Sequence, residues 1–310
     1  MLEQVKICEG ISDISDSYNG FLIDQWGTLH NGSQPYNGVV EALQNLRQRG
    51  KQIILISNSG HRANVDGDRL AKIGISSDCY DHIVTSAEMT WQSLNNRADG
   101  VFKDIGDKCF LLSRHGNQSV VDGIDDLTIV DDIDDADFVL LTGSDAPEKT
   151  LEDYHNPILK KASQRHLKMI CANPETTITI DGVHYMGSGK IAGQYEEFGG
   201  VVTYIGKPFP SIFQYALSLF KGLYPSQICM IGDGFANDIR GAKHLDMDSA
   251  FIASGMHMGS FGKVGNTNDI HKVLKMLGVN HGVLPTYFVP KFHWGKALPD
   301  RKNKRKKTSS

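Results

Sequence analysis

Apolar residues fall along the chain in short unbroken runs, each closed by a polar or small residue. Phe21 to Ile23 stops at Asp24, with Gly27 three residues on. Ile53 to Ile56 stops at Ser57-Asn58-Ser59-Gly60, and Ile228 to Ile231 at Gly232-Asp233, with Asp238 beyond. Runs of this length bounded by turn residues read as strands buried on both faces, the habit of a parallel sheet. Between them lie helical patterns. Gly38–Gly50 carries Val39, Leu43 and Leu46 at helical spacing, a second helix covers about Asn64–Ile73 and stops at Gly74, and Ser86–Leu94 follows a short strand at 82–84. The β-α-β-α-β order predicts an α/β fold with right-handed crossovers.

The rhythm shifts at about residue 88. Strands are expected at 108–112, 138–141 and 168–171, a helix at 150–163, and a hairpin over 177–186 turning at Asp181-Gly182. Gly187-Ser188-Gly189 reads as a tight loop before a short helix at 194–198. The acidic stretch 122–137 is not an EF-hand: counted from Asp131, the sixth position is Ala136 rather than Gly. It reads as a solvated face. From Val201 the first rhythm returns, with a strand at 201–205, Lys207, a helix at 210–221, the 228–231 strand, a helix at 237–244 and a strand at 249–252. Residues 88–200 therefore read as a second α/β module inserted into a first one formed by 1–87 and 201–290. Residues 291–310 read as an unfolded basic tail.

Polar residues at the carboxyl ends of the strands are the candidate chemistry, because ligands of open α/β sheets bind there. Asp24 at such a place is a nucleophile, a metal ligand or both, or it caps the strand in a turn. Ser57 binds an anion or caps the next helix, and Lys207 is a buried cation or a surface side chain. Taken in order, Asp24, Ser57, Lys207 and Gly232-Asp233-x-x-x-x-Asp238 resemble the four motifs of the haloacid dehalogenase superfamily over roughly residues 18–260. Ala172-Asn173-Pro174 and Gly187-Ser188-Gly189 resemble its class IIA, the 4-nitrophenyl-phosphatase-like enzymes with a type-two cap.

That resemblance implies a Rossmann-like parallel-sheet core, with 88–200 as the cap. It implies Mg²⁺-dependent hydrolysis of a small phosphorylated metabolite through an aspartyl-phosphate on Asp24. The metal would sit on Asp24, the backbone carbonyl of Trp26 and Asp233, with Asp238 supporting that shell. Ser57, Asn58, Ser59 and Lys207 would hold the phosphate. Asn173, with Arg114, His115 and the 187–189 loop, is a candidate for the substrate side. Relatives with this cap also suggest a homodimer formed through it.

One position departs from the pattern. Family phosphatases carry a second Asp two residues after the nucleophile, which protonates the leaving group and then activates water. Here Trp26 stands there, and an indole is a donor only. Losing a general acid costs about 10²- to 10⁴-fold. Four readings remain: a phosphatase for esters with good leaving groups; one that recruits His30, His61 or His115; a carbon–halogen hydrolase; or a phosphometabolite-binding sensor of little turnover.

Composition narrows the partners. A chain of 310 residues, 40% hydrophobic, has ample core for two modules. Residues 296–310 hold seven basic side chains against one Asp, so the net charge of −4 leaves the remainder at −10. An acidic body argues against nucleic acid, and the tail reads as a solvated segment before it reads as a patch for nucleic acid or anionic lipid. The five cysteines are scattered without metal-ligand spacing, which fits a reducing compartment. No leader pattern and no membrane-length apolar run is evident, so a cytoplasmic location is expected.

Overall fold

The computed structural model describes residues 5–97, 100–180, 183–254 and 267–295. Its strands, in chain order, are β1 (Lys6–Ile7), β2 (Gly20–Asp24), β3 (Gln52–Ser57), β4 (His82–Thr85), β5 (Lys108–Leu112), β6 (Thr128–Val130) and β7 (Phe138–Leu141). They continue as β8 (Lys168–Cys171), β9 (Thr177–Ile180), β10 (Val183–Met186), β11 (Val201–Tyr204), β12 (Ile228–Gly232), β13 (Asp248–Ile252) and β14 (Tyr287–Val289). Seven form one parallel sheet in the order β1-β14-β13-β12-β2-β3-β4. Five form a second parallel sheet, β11-β8-β7-β5-β6, and β9 and β10 make an antiparallel hairpin. Among the described residues, no helix is long and apolar enough to cross a membrane.

The first sheet explains its own sequence. Every residue of β2 and β12 is buried. Alternate side chains feed opposite layers: Phe21, Ile23, Leu55 and Ile231 pack on one face, and Leu22, Ile54, Ile56 and Met230 on the other. The helix Val39–Gln48 covers the first face with Val39, Ala42, Leu43 and Leu46. The helix Pro210–Ser218 covers the second with Ile212, Phe213 and Ala216. From β2 the chain winds outward through β3 and β4, then later re-enters beside β2 as β12 and winds the other way. The order reverses between β2 and β12, which opens a crevice at their carboxyl ends.

The second sheet has its own two layers. Phe138 and Leu140 of β7 face one, Val139 and Leu141 the other. The helix Ser188–Glu197 seals the latter layer with Ile191, Ala192 and Tyr195. The acidic residues of 122–137 are exposed, and Lys161 pairs with Asp132 and Asp134 among them.

Several expectations change. Residues 201–204 do not open the return to the first sheet: β11 pairs in parallel with β8 as the edge of the second. Gly187-Ser188-Gly189 is not a loop but the start of the Ser188–Glu197 helix. The helix expected at 150–163 is broken by a π-helical stretch, His155–Lys160, and Phe235–Ile239 likewise precedes the helix Arg240–His244. The turn at Asp181-Gly182 and residues 296–310 lie outside the described residues. Residues 291–295, however, are not tail. Phe292 is 1% exposed and Trp294 9%, and both belong to the core beneath β2. The amides of Ile11 and Ser12 donate to the carbonyls of His293 and Trp294, and the Arg49 guanidinium lies over the Trp294 ring at 4.4 Å.

If this segment is part of the core, Phe292→Ala should cost about 3–5 kcal/mol of unfolding free energy, the range for deleting a buried aromatic. Urea unfolding of the full chain measures it, and a loss under about 1 kcal/mol would return 291–295 to the tail.

Candidate active site

The crevice between β2 and β12 gathers polar side chains that the strands deliver in register. Asp24 is the last residue of β2, Ser57 the last of β3, and Asp233 follows the last of β12. Lys207 arrives from the other sheet, three residues after β11 ends. All four are buried, as are Asn58 and Asp238.

Lys207 Nζ stands at the centre. It donates to Asp24 Oδ1 at 2.5 Å and to Asp238 Oδ1 at 2.7 Å. Asp24 Oδ2 accepts from the Thr28 hydroxyl at 3.1 Å, and Asp238 Oδ2 from the Gly234 amide at 2.9 Å. Burial alone would pull the Lys207 pKa down, but Asp238 and Asp24 outweigh it and hold the ammonium above its ordinary value. Burial pushes the Asp238 carboxyl up while Lys207 opposes, so this contact remains an ion pair. One oxygen each of Asp24, Asp233 and Asp238 lie within 4.8 Å of one another. Three carboxylates against one ammonium leave an excess of two negative charges in a buried place. A hard divalent cation with oxygen ligands matches that excess. Gly27 supplies the room: with φ +88°, a Cβ there would come within 2.2 Å of Asp233 Oδ2.

The β3 end forms the second wall. Ser57 Oγ accepts the Ser59 amide at 3.1 Å. Asn58 holds Lys207 by the backbone, accepting its amide at 2.7 Å and donating to its carbonyl at 3.1 Å. Ser59 turns its hydroxyl to Asp66 Oδ1, 3.1 Å away. A cleft of about 250 Å³ joins these groups to the hairpin side of the second sheet.

The cleft takes in Asp24, Trp26, Ser57, Asn58, Ser59, Lys207, Asp233 and Asp238, but not Asn173, Arg114, His115 or Gly187–Gly189. The Asn173 side chain is used locally, accepting the Glu175 amide at 3.2 Å. Trp26 sits at the mouth with 43% of its surface exposed. Of the three histidines weighed as replacement acids, only His30 lines the cleft. Burial lowers its pKa, and its Nδ1 accepts the Gly32 amide at 3.0 Å, so the ring is neutral near pH 7 with its proton on Nε2.

Sequence reasoning missed three charged residues of the lining, Asp66, Arg69 and Glu175. Glu175 Oε1 lies 3.5 Å from Asn58 Nδ2. Burial pushes its carboxyl up to about 7, against Lys207 and with help from Asp24 and Asp238. The signal was adjacent: Glu175 directly follows the Asn173-Pro174 pair that drew attention.

The family model described as haloacid dehalogenase-like hydrolase matches residues 21–125, and the one described as HAD-hydrolase-like matches 204–272. The stretch between the two matches, 126–203, carries β6, β7 and β8 of the second sheet and the β9–β10 hairpin. The 5'-nucleotidase YutF of Bacillus subtilis is 24% identical over 242 residues, which span 77% of this chain and 89% of the relative. An acid sugar phosphatase of Staphylococcus saprophyticus is also 24% identical, over 244 residues, 77% of this chain and 88% of the relative. The solved structure of a haloacid dehalogenase-like hydrolase from Brucella suis 1330 superposes with a TM-score of 0.75 at 25% identity, covering 92% of this chain and 99% of that one.

The charge balance makes a prediction of its own. Lys207→Met takes the ammonium away from Asp24 and Asp238, which should cost about 3–5 kcal/mol at pH 7.5. Their folded-state pKa values would then lie above the unfolded ones, so the deficit must shrink as pH falls and they take up protons. Urea unfolding at pH 7.5 and pH 5 reads this, and an equal deficit at both would refute the account.

Proposed function

The chain belongs to the haloacid dehalogenase-like hydrolases, and from that premise we propose that it is a Mg²⁺-dependent phosphatase of small phosphorylated metabolites. The observation that carries this reading is the Asp24–Lys207–Asp238 cluster, with Asp233 beside it, at the carboxyl ends of β2 and β12. Relatives named as a 5'-nucleotidase and an acid sugar phosphatase support a small phosphate ester as substrate.

In this reading Asp24 is the nucleophile. Its carboxylate attacks phosphorus, the bond to the leaving oxygen breaks, and an aspartyl-phosphate remains for water to hydrolyse. Lys207 offsets the charge of the incoming phosphoryl group beside that of Asp24. Ser57 and the amides of Asn58 and Ser59 take phosphoryl oxygens. Asp24, Asp233 and the Trp26 carbonyl would hold the metal, with Asp238 orienting that shell. When bound, Mg²⁺ supplies neutralisation of the phosphoryl charge. Residues 88–204, ending with β11, act as the cap and admit small molecules to the cleft beneath.

Trp26 favours a second reading, in which the site binds a phosphorylated ligand with little turnover. The carbon–halogen reading is weaker, since halide leaves without a metal and Asp233 would then have no task.

Hydrolysis of 4-nitrophenyl phosphate and a panel of phosphometabolites, with and without Mg²⁺, separates these. Wild type should release phosphate only with Mg²⁺, and Asp24→Asn should lose about 10³-fold or more, the scale of a missing nucleophile. Inactive wild type whose melting temperature still rises with phosphate esters would favour the binding reading.

A further inference from the structure

Expelling an alkoxide from phosphorus needs a proton, and no group on the Asp24 strand end supplies one. The Trp26 indole is a donor only and is too weak an acid to give up its proton at working pH. The His30 ring is already neutral, so it has no acidic proton to give. Burial raises the Asp66 pKa, but this carboxyl sits on the helix Ala63–Lys72 behind Ser59, whose hydroxyl donates to its Oδ1, and not on the hairpin side, while Arg69 keeps its proton at any pH.

In-line displacement fixes where the donor must be. With Asp24 attacking from the floor of the crevice, the leaving oxygen points away from it, toward the hairpin side of the cleft. Among the described residues, one carboxyl reaches the cleft from that side, Glu175, just before β9. Resting on the phosphatase reading, we propose that Glu175 is the general acid and base of this hydrolysis, doing from the second sheet what Trp26 cannot do from the first.

The segment carrying Glu175 is seated rather than loose. The Gly189 amide donates to the Glu175 carbonyl at 2.8 Å, and the Gly187 amide to the Thr176 carbonyl at 3.0 Å. A Cβ on Gly187 would lie 2.2 Å from the Glu175 carbonyl oxygen, and one on Gly189 2.2 Å from that of Pro174. The Asn173 side chain accepts the Glu175 amide from the other side. Asn58, which clamps the Lys207 backbone, is also the core residue facing the Glu175 carboxyl. The charged groups facing Glu175 across the cleft are Lys207, Asp24 and Asp238. Burial keeps its carboxyl protonated to about pH 7, the range in which one group can both give and take a proton.

The proton account closes. In the first half, the Asp24–phosphorus bond forms, the ester P–O bond breaks, and the Glu175 proton passes to the leaving oxygen to give the alcohol. In the second, water attacks phosphorus, its proton goes to the Glu175 carboxylate, and the Asp24–phosphorus bond breaks to release phosphate.

The test is the dependence on leaving group. Glu175→Gln keeps the size and the approach to Asn58 but has no proton to give. With glycerol 3-phosphate it should lose about 10²- to 10⁴-fold in rate. With 4-nitrophenyl phosphate, whose phenolate leaves unaided, the first turnover should stay within about tenfold of wild type, and slow turnover should follow the burst because the base is also gone. For wild type, kcat/KM on the alkyl ester should fall as pH rises through neutrality, and that limb should vanish in Glu175→Gln. Glu175→Asp should recover part of the alkyl rate. Equal first-turnover losses on both esters, or an unchanged pH limb, would reduce Glu175 to a positioning residue and overturn the proposal. Undiminished alkyl turnover in Glu175→Gln would sink this inference and leave the phosphatase reading standing, whereas a wild type that releases no phosphate would remove both.

Discussion

The buried ammonium of Lys207 is the constraint around which the site is arranged. Removing a charge from water is expensive, and only close opposite charge makes such a position tenable. Asp24 and Asp238 supply it from two different elements, one at the end of β2 and one from the π-helical stretch after β12. Both strands must therefore lie side by side, as the reversal of strand order makes them. The arrangement overshoots, because Asp233 adds a third carboxylate to the same crevice. A carboxylate cluster with more negative charge than its lysine offsets is suited to a guest that brings positive charge with it.

The second sheet takes part in this electrostatic arrangement. Asn58 bonds both backbone groups of Lys207 and stands beside the Glu175 carboxyl. The carboxylates that hold Lys207 charged are the same ones that, with burial, keep Glu175 protonated near neutrality. One cluster thus raises both pKa values and keeps a proton on each group, which leaves the ammonium charged and the carboxyl neutral. The difference in charge follows from the groups themselves, since an amine is charged with its proton on and a carboxyl is not.

What could be read from the sequence follows the burial of each part. β2, β3 and β12 are covered on both faces, so they appear as plain apolar runs, and the polar residue that ends each run is conspicuous. β11 was assigned to the wrong sheet because it is an edge strand that begins exposed at Val201, and pairing partners leave no mark in such a stretch. Residues 291–295 were lost to the basic run beyond them, although Phe292 and Trp294 were apolar signals in their own right. Glu175 was passed over because its character depends on what surrounds it. Among the acidic side chains of this chain, only the fold separates the one over Asn58 from those on the solvated 122–137 face.

The placement of β11 has a mechanical consequence. The second sheet ends at Tyr204, and Lys207 follows after only Ile205 and Gly206. A Cβ on Gly206 would lie 2.6 Å from Asn58 Oδ1 and 2.7 Å from Pro174 Cδ, so this connector is wedged between the two halves. Two residues span less than about 8 Å even when fully extended. So short a connector leaves little room for the second sheet to slide past the first, and a swing between them has Ile205 and Gly206, directly before the lysine, to turn about. The pivot of the cleft thus lies beside its central charge, whose backbone Asn58 holds to the first sheet.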